Sequence, residues 1–381
     1  MVHYEAVQVS GKNLCSRAKK SRKESMKIAI IVGTRPEIIK MSPIIRECCR
    51  LNLDYVLVHT GQHYSYAMDG VFFEQLALPQ PQYNLNVGSG SHAEQTSRIL
   101  MGVEPVLQKE RPDVVLVQGD TNTVLAGALA AAKLHIRVGH VEAGLRSYDK
   151  SMPEEVNRVL TDHCSDLLFA PTEQARQILL EEGIAPDQVY VTGNTIVDAV
   201  FHTVKLAKTR VLDDLGLRKQ EYFLVTMHRQ ENVDDENRLK SILKGLSDLN
   251  RKYDLPVVYP VHPRSCKKIQ EFGLDAPGVT LVEPLDFQGF LSLEQHARVV
   301  LTDSGGVQEE TCILGTPCVT LRGNTERPET LAVGSNLLAG TYPENIVQCA
   351  SVMYAKKTPW ENPFGDGTSA KKIINIIREF V

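Results

Sequence analysis

From Lys27 onward the chain alternates short apolar runs with amphipathic stretches, and this sets the frame for everything else. Ile28–Val32, Tyr55–His59, Val114–Val117, Val138–Val141, Leu167–Phe169 and Val189–Thr192 read as buried strands. Glu37–Arg50, His92–Lys109, Val124–Lys133, Glu154–Cys164 and Glu173–Glu182 carry helical periodicity. Around Arg210–Gln220 the pattern lapses into a charged stretch, and a second series follows. Its strands are Phe223–Thr226, Val257–Tyr259, Val279–Val282, Val299–Thr302 and Cys318–Leu321, again with helical patterns between, one of them Val307–Leu314. A last helix, Ala370–Phe380, follows a Pro363–Gly367 turn and is placed to cross back to the first domain. Strands alternating with helices signal parallel sheets. The expected architecture is therefore α/β: two Rossmann-like doubly wound domains with an interdomain cleft. We expect one domain over 26–209, a linker over 210–220, a second domain over 221–367 and the closing helix in 368–381. The carboxyl ends of both sheets should face the cleft, where such folds bind ligands.

Composition narrows this picture. At 381 residues, 43% hydrophobic and 23% charged, the chain fits two soluble domains of ordinary size. A net charge of −4 leaves no polyelectrolyte footprint, so nucleic acid is not the expected partner. No apolar run approaches the length that crosses a bilayer. Eight scattered cysteines, with no Cys-x-x-Cys, fit free thiols in a reducing cytoplasm. Residues 1–25 carry Lys12, Arg17, Lys19, Lys20, Arg22 and Lys23 without the apolar core of a secretory signal. We read them as a disordered extension ahead of Met26. A basic nucleic-acid arm is the sharper alternative, but no aromatics interleave the charges.

The strand ends carry the chemistry. In Leu301–Glu310, LTDSGGVQEE, a strand stops at paired glycines and restarts as a helix. Its free N–H groups and helix dipole make an anion site, and Gly305 and Gly306 place no side chain in front of it. The plainer reading is an ordinary joint with Ser304 as N-cap. After the first strand, Thr34 suits a helix cap and Pro36 its first turn, so Arg35 and Lys40 can reach an anion. The spacing is not that of a Walker A loop. Gly88–Ala93 matches G-x-G-x-x-A on paper but lacks the strand and acidic residue of a dinucleotide site, and reads as a loop and helix cap. Asp120, Glu142 and Glu154 all come from strand ends or helix starts of one half. Neighbouring carboxylates can be split into acid and base, although three solvated surface acids are the plain alternative. The second half adds His228, then His262 and Arg264, then Arg327 beside the anion-binding turn. No His/Cys cluster suggests zinc, and no Gly-x-Ser-x-Gly elbow makes Ser304 a nucleophile.

In order, GTRPEIIK, QGDTNT, HVEAGLRS, MPEEVNR, HRQEN, LTDSGGVQEE and NTERPET resemble the non-hydrolysing UDP-N-acetylglucosamine 2-epimerases, from Met26 to nearly the end of the chain. The resemblance implies a fold like the GT-B glycosyltransferases and reversible conversion of UDP-N-acetylglucosamine to UDP-N-acetylmannosamine, for a polysaccharide precursor. It implies a homodimer and chemistry without metal or nicotinamide. Carried over by motif, Asp120, Glu142 and Glu154 form the acid/base set, with His228 facing them. Arg35 and Lys40 contact ligand; Ser304, Gly305 and Gly306 hold the UDP phosphates. Glu310 binds the ribose, Arg327 the diphosphate region, and Phe290 packs near the uracil. Such enzymes eliminate UDP to a glycal and add it back after the proton returns from the opposite face.

Two departures stand out. Gly61–Asp69 differs from bacterial members, where the region helps bind a regulatory UDP-sugar, and Leu285 replaces a glutamine of some relatives. The alternatives are an epimerase of a diacetamido or uronic-acid UDP-sugar, a hydrolysing epimerase, or a GT-B glycosyltransferase.

Overall fold

The computed structural model describes residues 26–61, 72–206, 210–357 and 359–380. The expectations for the N-terminal extension and for all of Gly61–Asp69 except Gly61 fall outside these residues. In chain order the principal elements are β1 Lys27–Val32, α1 Arg35–Leu51, β2 Asp54–His59, β3 Tyr83–Asn84, α2 His92–Glu110, β4 Val114–Gln118, α3 Asn122–Lys133, β5 Arg137–Val141, α4 Pro153–His163, β6 Leu167–Ala170, α5 Glu173–Glu181, β7 Val189–Val191 and α6 Thr195–Leu206. They continue with β8 Phe223–Thr226, α7 Glu236–Tyr253, β9 Val257–Pro260, α8 Pro263–Glu271, β10 Val279–Val282, α9 Phe287–His296, β11 Val299–Thr302, α10 Gly305–Leu314, β12 Cys318–Thr320, β13 Asn336–Leu338, α11 Pro343–Ala355 and α12 Ser369–Phe380. The expected strands and helices all form, within a few residues at each end.

Two compact units result: 1–199 together with 365–381, and 200–364. The division falls inside α6, upstream of the charged stretch 210–220, part of which is itself a short helix at Val211–Asp214. The first unit holds a seven-stranded parallel sheet ordered β3-β2-β1-β4-β5-β6-β7, and the second a six-stranded parallel sheet ordered β10-β9-β8-β11-β12-β13. In both, strand order reverses beside the first strand: β1 pairs with β2 and β4, and β8 pairs with β9 and β11. Loops leaving adjacent strand ends there diverge to opposite faces and open a crevice for ligand.

Burial on both faces explains the unbroken apolar strands. Ala29 and Ile31 pack with Val103, Val124 and Ala128 of the flanking helices, while Ile28 and Ile30 are fully buried as well. In the second unit Val225 and Leu301 join Leu239, Ile242 and Ile346. Leu224 and Val300 belong to a separate cluster with Leu293 and Val307. Helix α12 packs against α1 through a face that buries Ile373, Ile374 and Ile377. Asp198 accepts from the N–H groups of Ser369 and Ala370, at 3.2 and 3.1 Å, and so caps α12 from α6.

Candidate functional site

In the first unit, the loops after β1, β4 and β5 converge at the switch point. Gly33 is required by close approach: a Cβ there would lie 2.1 and 2.3 Å from the hydroxyls of Thr123 and Thr60. Thr34 occupies the N-cap position of α1, yet its side chain makes no capping bond. Glu37 organises the loop instead. It accepts from the Gly33 N–H at 2.7 Å and faces the hydroxyls of Thr34 at 3.0 Å and Thr121 at 2.7 Å, tying the loop after β1 to the loop after β4. Burial pushes the Glu37 carboxyl up to about 7, with the nearby Asp120 charge adding to it and the three hydrogen bonds opposing it.

Asp120, just past β4, is paired with Arg158, which also donates to the buried Glu155 at 2.8 Å. Asn157 secures the Asp120 carbonyl at 2.9 Å. Glu142, just past β5, has φ +72°, a left-handed conformation that is strained for a residue with a Cβ. Its carboxylate accepts from Lys40 Nζ at 2.6 Å and from Gln118 Nε2 at 2.8 Å. Lys40 is thus the nearly buried partner of Glu142, while the Arg35 guanidinium lies 5.6 Å over the Phe72 ring. Glu154 is exposed in the first turn of α4 and makes no hydrogen bond or ion pair with the described residues, whereas Glu155 beside it collects Ser147, Tyr148 and Arg158. The structure therefore gives Asp120 and Glu142 each bonded partners of their own and leaves Glu154 exposed to solvent.

Beneath this cluster, His140 bridges Asp162 at 2.6 Å and the Gly119 carbonyl at 2.8 Å. Burial would raise the Asp162 carboxyl, but His140 and Arg146 hold it below its ordinary range. The Gly119–Asp120 turn rests on this buried ionic support. Elsewhere in the unit, the Gly88–Ala93 segment is a loop ending in a capping box between Ser91 and Glu94.

In the second unit, α10 begins at Gly305 with Ser304 at the N-cap, and the Ser304 side chain caps nothing. A Cβ on Gly305 would point toward Glu326 Oε2 at 3.7 Å and Arg327 Cζ at 4.0 Å, into the space over the helix start. Asp303 is buried and gathers the N–H groups of His228 and Arg229 at 3.1 and 3.0 Å, the Asn232 amide at 3.1 Å and His228 Nδ1 at 3.2 Å. Burial would raise its carboxyl, but these bonds hold it below the usual range. His228 itself stays 55% exposed, fixed by its backbone and Nδ1.

Arg327 Nε pairs with buried Glu309 at 2.7 Å. Arg322 grips Glu326 through two 3.0 Å bonds and reaches Glu231 at 3.1 Å. Against burial, Arg322 and Arg229 pull Glu326 down to about 2. Three arginines are thereby held around the α10 N-terminus by buried or half-buried acids, so their positions are set before any ligand arrives. Phe290 is half-buried against the Leu293 and Val307 cluster, and Glu310 is nearly buried one turn into α10. His262 caps α8, and Arg264 pairs with Asp234.

Sequence reading missed Glu37, Gln118, Arg158 and Glu309 and treated Asp303 only as a turn residue. Only Glu37 had a local signal, the Thr34-x-x-Glu37 spacing of a capping box; the others act through partners distant in sequence. Among the described residues no group of three His, Cys, Asp or Glu side chains could hold a metal ion.

Two parallel sheets of this strand order, each with its polar residues at the switch point, define a protein of two Rossmann-like domains with GT-B architecture. The chain belongs to the UDP-N-acetylglucosamine 2-epimerase family, whose model matches residues 46–378. It is 53% identical to the UDP-N-acetylglucosamine 2-epimerase of Methanocaldococcus jannaschii over 92% of this chain and 99% of that protein. The enzyme of the same name from Methanococcus maripaludis is 54% identical, over 92% and 98% of the two chains. The crystal structure of the M. jannaschii enzyme with UDP-GlcNAc and UDP superposes with a TM-score of 0.85, covering 93% of this chain and all of that one. A Rickettsia africae glycosyltransferase at 12% identity and TM-score 0.56 shares the fold alone.

Proposed function

We propose that this protein interconverts UDP-N-acetylglucosamine and UDP-N-acetylmannosamine by eliminating UDP to a glycal and adding it back. The observation that carries the reading is the 53–54% identity, over nearly the whole chain, to enzymes named for that reaction. The C2 proton is not next to a carbonyl, so direct abstraction is very difficult, and expulsion of UDP from C1 makes the proton removable. Leaving UDP develops charge on a phosphate oxygen. Ser304, Gly305 and Gly306 at the α10 N-terminus, with Arg327, are assigned to hold that charge, worth several kcal/mol when donors are fixed beforehand. Arg35 and Lys40 are assigned to the ligand from the first unit, Lys40 also keeping Glu142 in place. Phe290 is assigned to the uracil and Glu310 to the ribose.

Asp120, Glu142 and Glu154 are assigned to supply base and acid to the two faces of C2, and His228 is assigned to the same reaction from the second unit. Glu142 suits the base because its strained backbone aims the carboxylate and Lys40 favours its charged form. Exposed Glu154 can exchange protons with solvent.

Running the reaction in deuterated water tests this: epimerisation by elimination places deuterium at C2. Absence of label would refute it, as glycosyl transfer leaves C2 untouched. Stoichiometric release of UDP would instead identify a hydrolysing epimerase. A second reading, a diacetamido uronic-acid substrate, has support from 41% identity to the Pseudomonas aeruginosa UDP-2,3-diacetamido-2,3-dideoxy-D-glucuronate 2-epimerase. Comparing kcat/KM for both nucleotide sugars separates them.

We also propose that the protein works as a cytoplasmic homodimer. No helix among the described residues is long and apolar enough to cross a membrane. The described cysteines are free. On α2 and α4, Met101, Val156 and Leu160 are exposed apolar side chains, a surface suited to a second copy. Light scattering should give a dimer mass for the native protein and a lower one for Leu160→Glu.

A further inference from the structure

One buried acid in the second unit has no place in the scheme above. Glu294 lies on α9, wholly buried, and neither of its carboxyl oxygens receives a hydrogen bond. It forms no ion pair with the described residues. The titratable groups facing it are Glu310 on α10, Cys318 on β12 and Tyr222 just before β8. Tyr222 is already committed, donating its hydroxyl to the Leu293 carbonyl at 2.5 Å. Cys318 is a buried thiol, a weak donor at best. What remains is the Glu310 carboxyl, within hydrogen-bond reach across the α9–α10 contact.

Two ionised carboxylates offer each other only acceptors, and burying both without a cation is very costly. A single proton resolves the contact: one acid becomes a donor and the other keeps its charge. Glu294 is the more deeply buried of the two, at 0% exposure against 9% for Glu310, so the proton belongs on Glu294. Desolvation and the Glu310 charge both push the Glu294 carboxyl well above its ordinary range. Glu310, nearer the surface, then keeps a charged carboxylate.

We infer that Glu294 is a positioning residue for nucleotide recognition: its carboxylic acid donates to Glu310 and orients that carboxylate to receive the ribose hydroxyls of a uridine nucleotide. This rests on the assignment of Glu310 to the ribose. It implies that discrimination for the ribose depends on a residue that never touches it.

The test compares affinity for UDP with that for 2′,3′-dideoxy-UDP by titration calorimetry, in the full chain and in Glu294→Gln, Glu294→Met and Glu310→Gln. Glutamine keeps a donor toward Glu310, whereas methionine fills similar volume without one. The native protein should prefer UDP, Glu294→Gln should keep that preference within about twofold, and Glu294→Met should lose about tenfold of it, as for a hydrogen bond to a charged group. Wild-type preference in Glu294→Met, or loss of preference in Glu294→Gln, overturns the inference while Glu310→Gln still shows the ribose assignment. Undiminished preference in Glu310→Gln overturns the ribose assignment itself and the inference with it. Infrared difference spectra on adding UDP give a readout without the methionine variant. A protonated carboxylic acid band should shift in the native protein and be missing in Glu294→Gln; identical spectra would overturn the inference.

Discussion

Glu142 joins a φ of +72° to a 2.6 Å ion pair, two features that each cost free energy unless something holds them in place. The Lys40 ammonium and the Gln118 amide do the holding. Glu142→Gln removes the proposed base while keeping the side chain's volume. It should lower kcat by about 10²–10⁴-fold with UDP affinity nearly unchanged, measured by coupled turnover and calorimetry; unchanged turnover would remove Glu142 from the acid/base set. Glu37 gives a different kind of prediction. Its carboxyl is raised from 4.5 to about 7, so the fold favours the protonated form. The stability this contributes is complete below about pH 4.5 and is lost as pH rises through 7. That loss amounts to about 3 kcal/mol at most. Glu37→Gln cannot ionise and should escape it. Urea midpoints measured from pH 5 to 7.5 should therefore fall more steeply for the native protein than for the variant, and parallel pH profiles would sink the idea.

At the scale of elements, the α10 N-terminus shows how the proposed ligand grip would be prepared. Arg327 is held by Glu309, and Arg322 and Arg229 by Glu326, before any diphosphate is present. Arg327→Ala should weaken UDP binding by about 1–3 kcal/mol. Because it would also strand the buried Glu309 charge, the measurement is best made with Glu309→Gln as background; unaltered UDP affinity there would refute the contact. These elements also mark where sequence stops being legible. Strands such as Ile28–Val32 and Val299–Thr302 announce themselves because both faces are buried and nearly every position is apolar. Tyr83–Asn84 and Asn336–Leu338 escaped notice because they are two or three residues long and carry polar side chains. Positions of strand-end residues follow from chain order, so the Gly33, Gln118 and Asp303 loops could be located. Their partners could not. Glu309 with Arg327, Glu294 with Glu310 and Asp162 with His140 are pairs made by packing, and no local spacing encodes them.

At the scale of the molecule, the chain leaves the first unit within α6 and returns to it at Gly365, so the first unit is completed by a segment distant in sequence from the rest of it. Ile373, Ile374 and Ile377 are wholly buried in α12, which packs on α1. At about 1.5–3 kcal/mol for each side chain, their burial is worth about 5–9 kcal/mol. That is as large as the net stability of a typical domain. The Asp198 carboxylate would lose both N–H partners at the same time. α1 also carries Glu37 and Lys40, so loosening it reaches both the loop clamp and the Glu142 ion pair. A chain ending at Phe364 should therefore fail to fold its first unit, whereas the second unit, with its own core, should survive. Limited proteolysis should leave a resistant fragment containing 221–355, and circular dichroism should show lost helix. A truncated chain with native melting temperature and full activity would mean that α12 is ornament to a first unit stable without it.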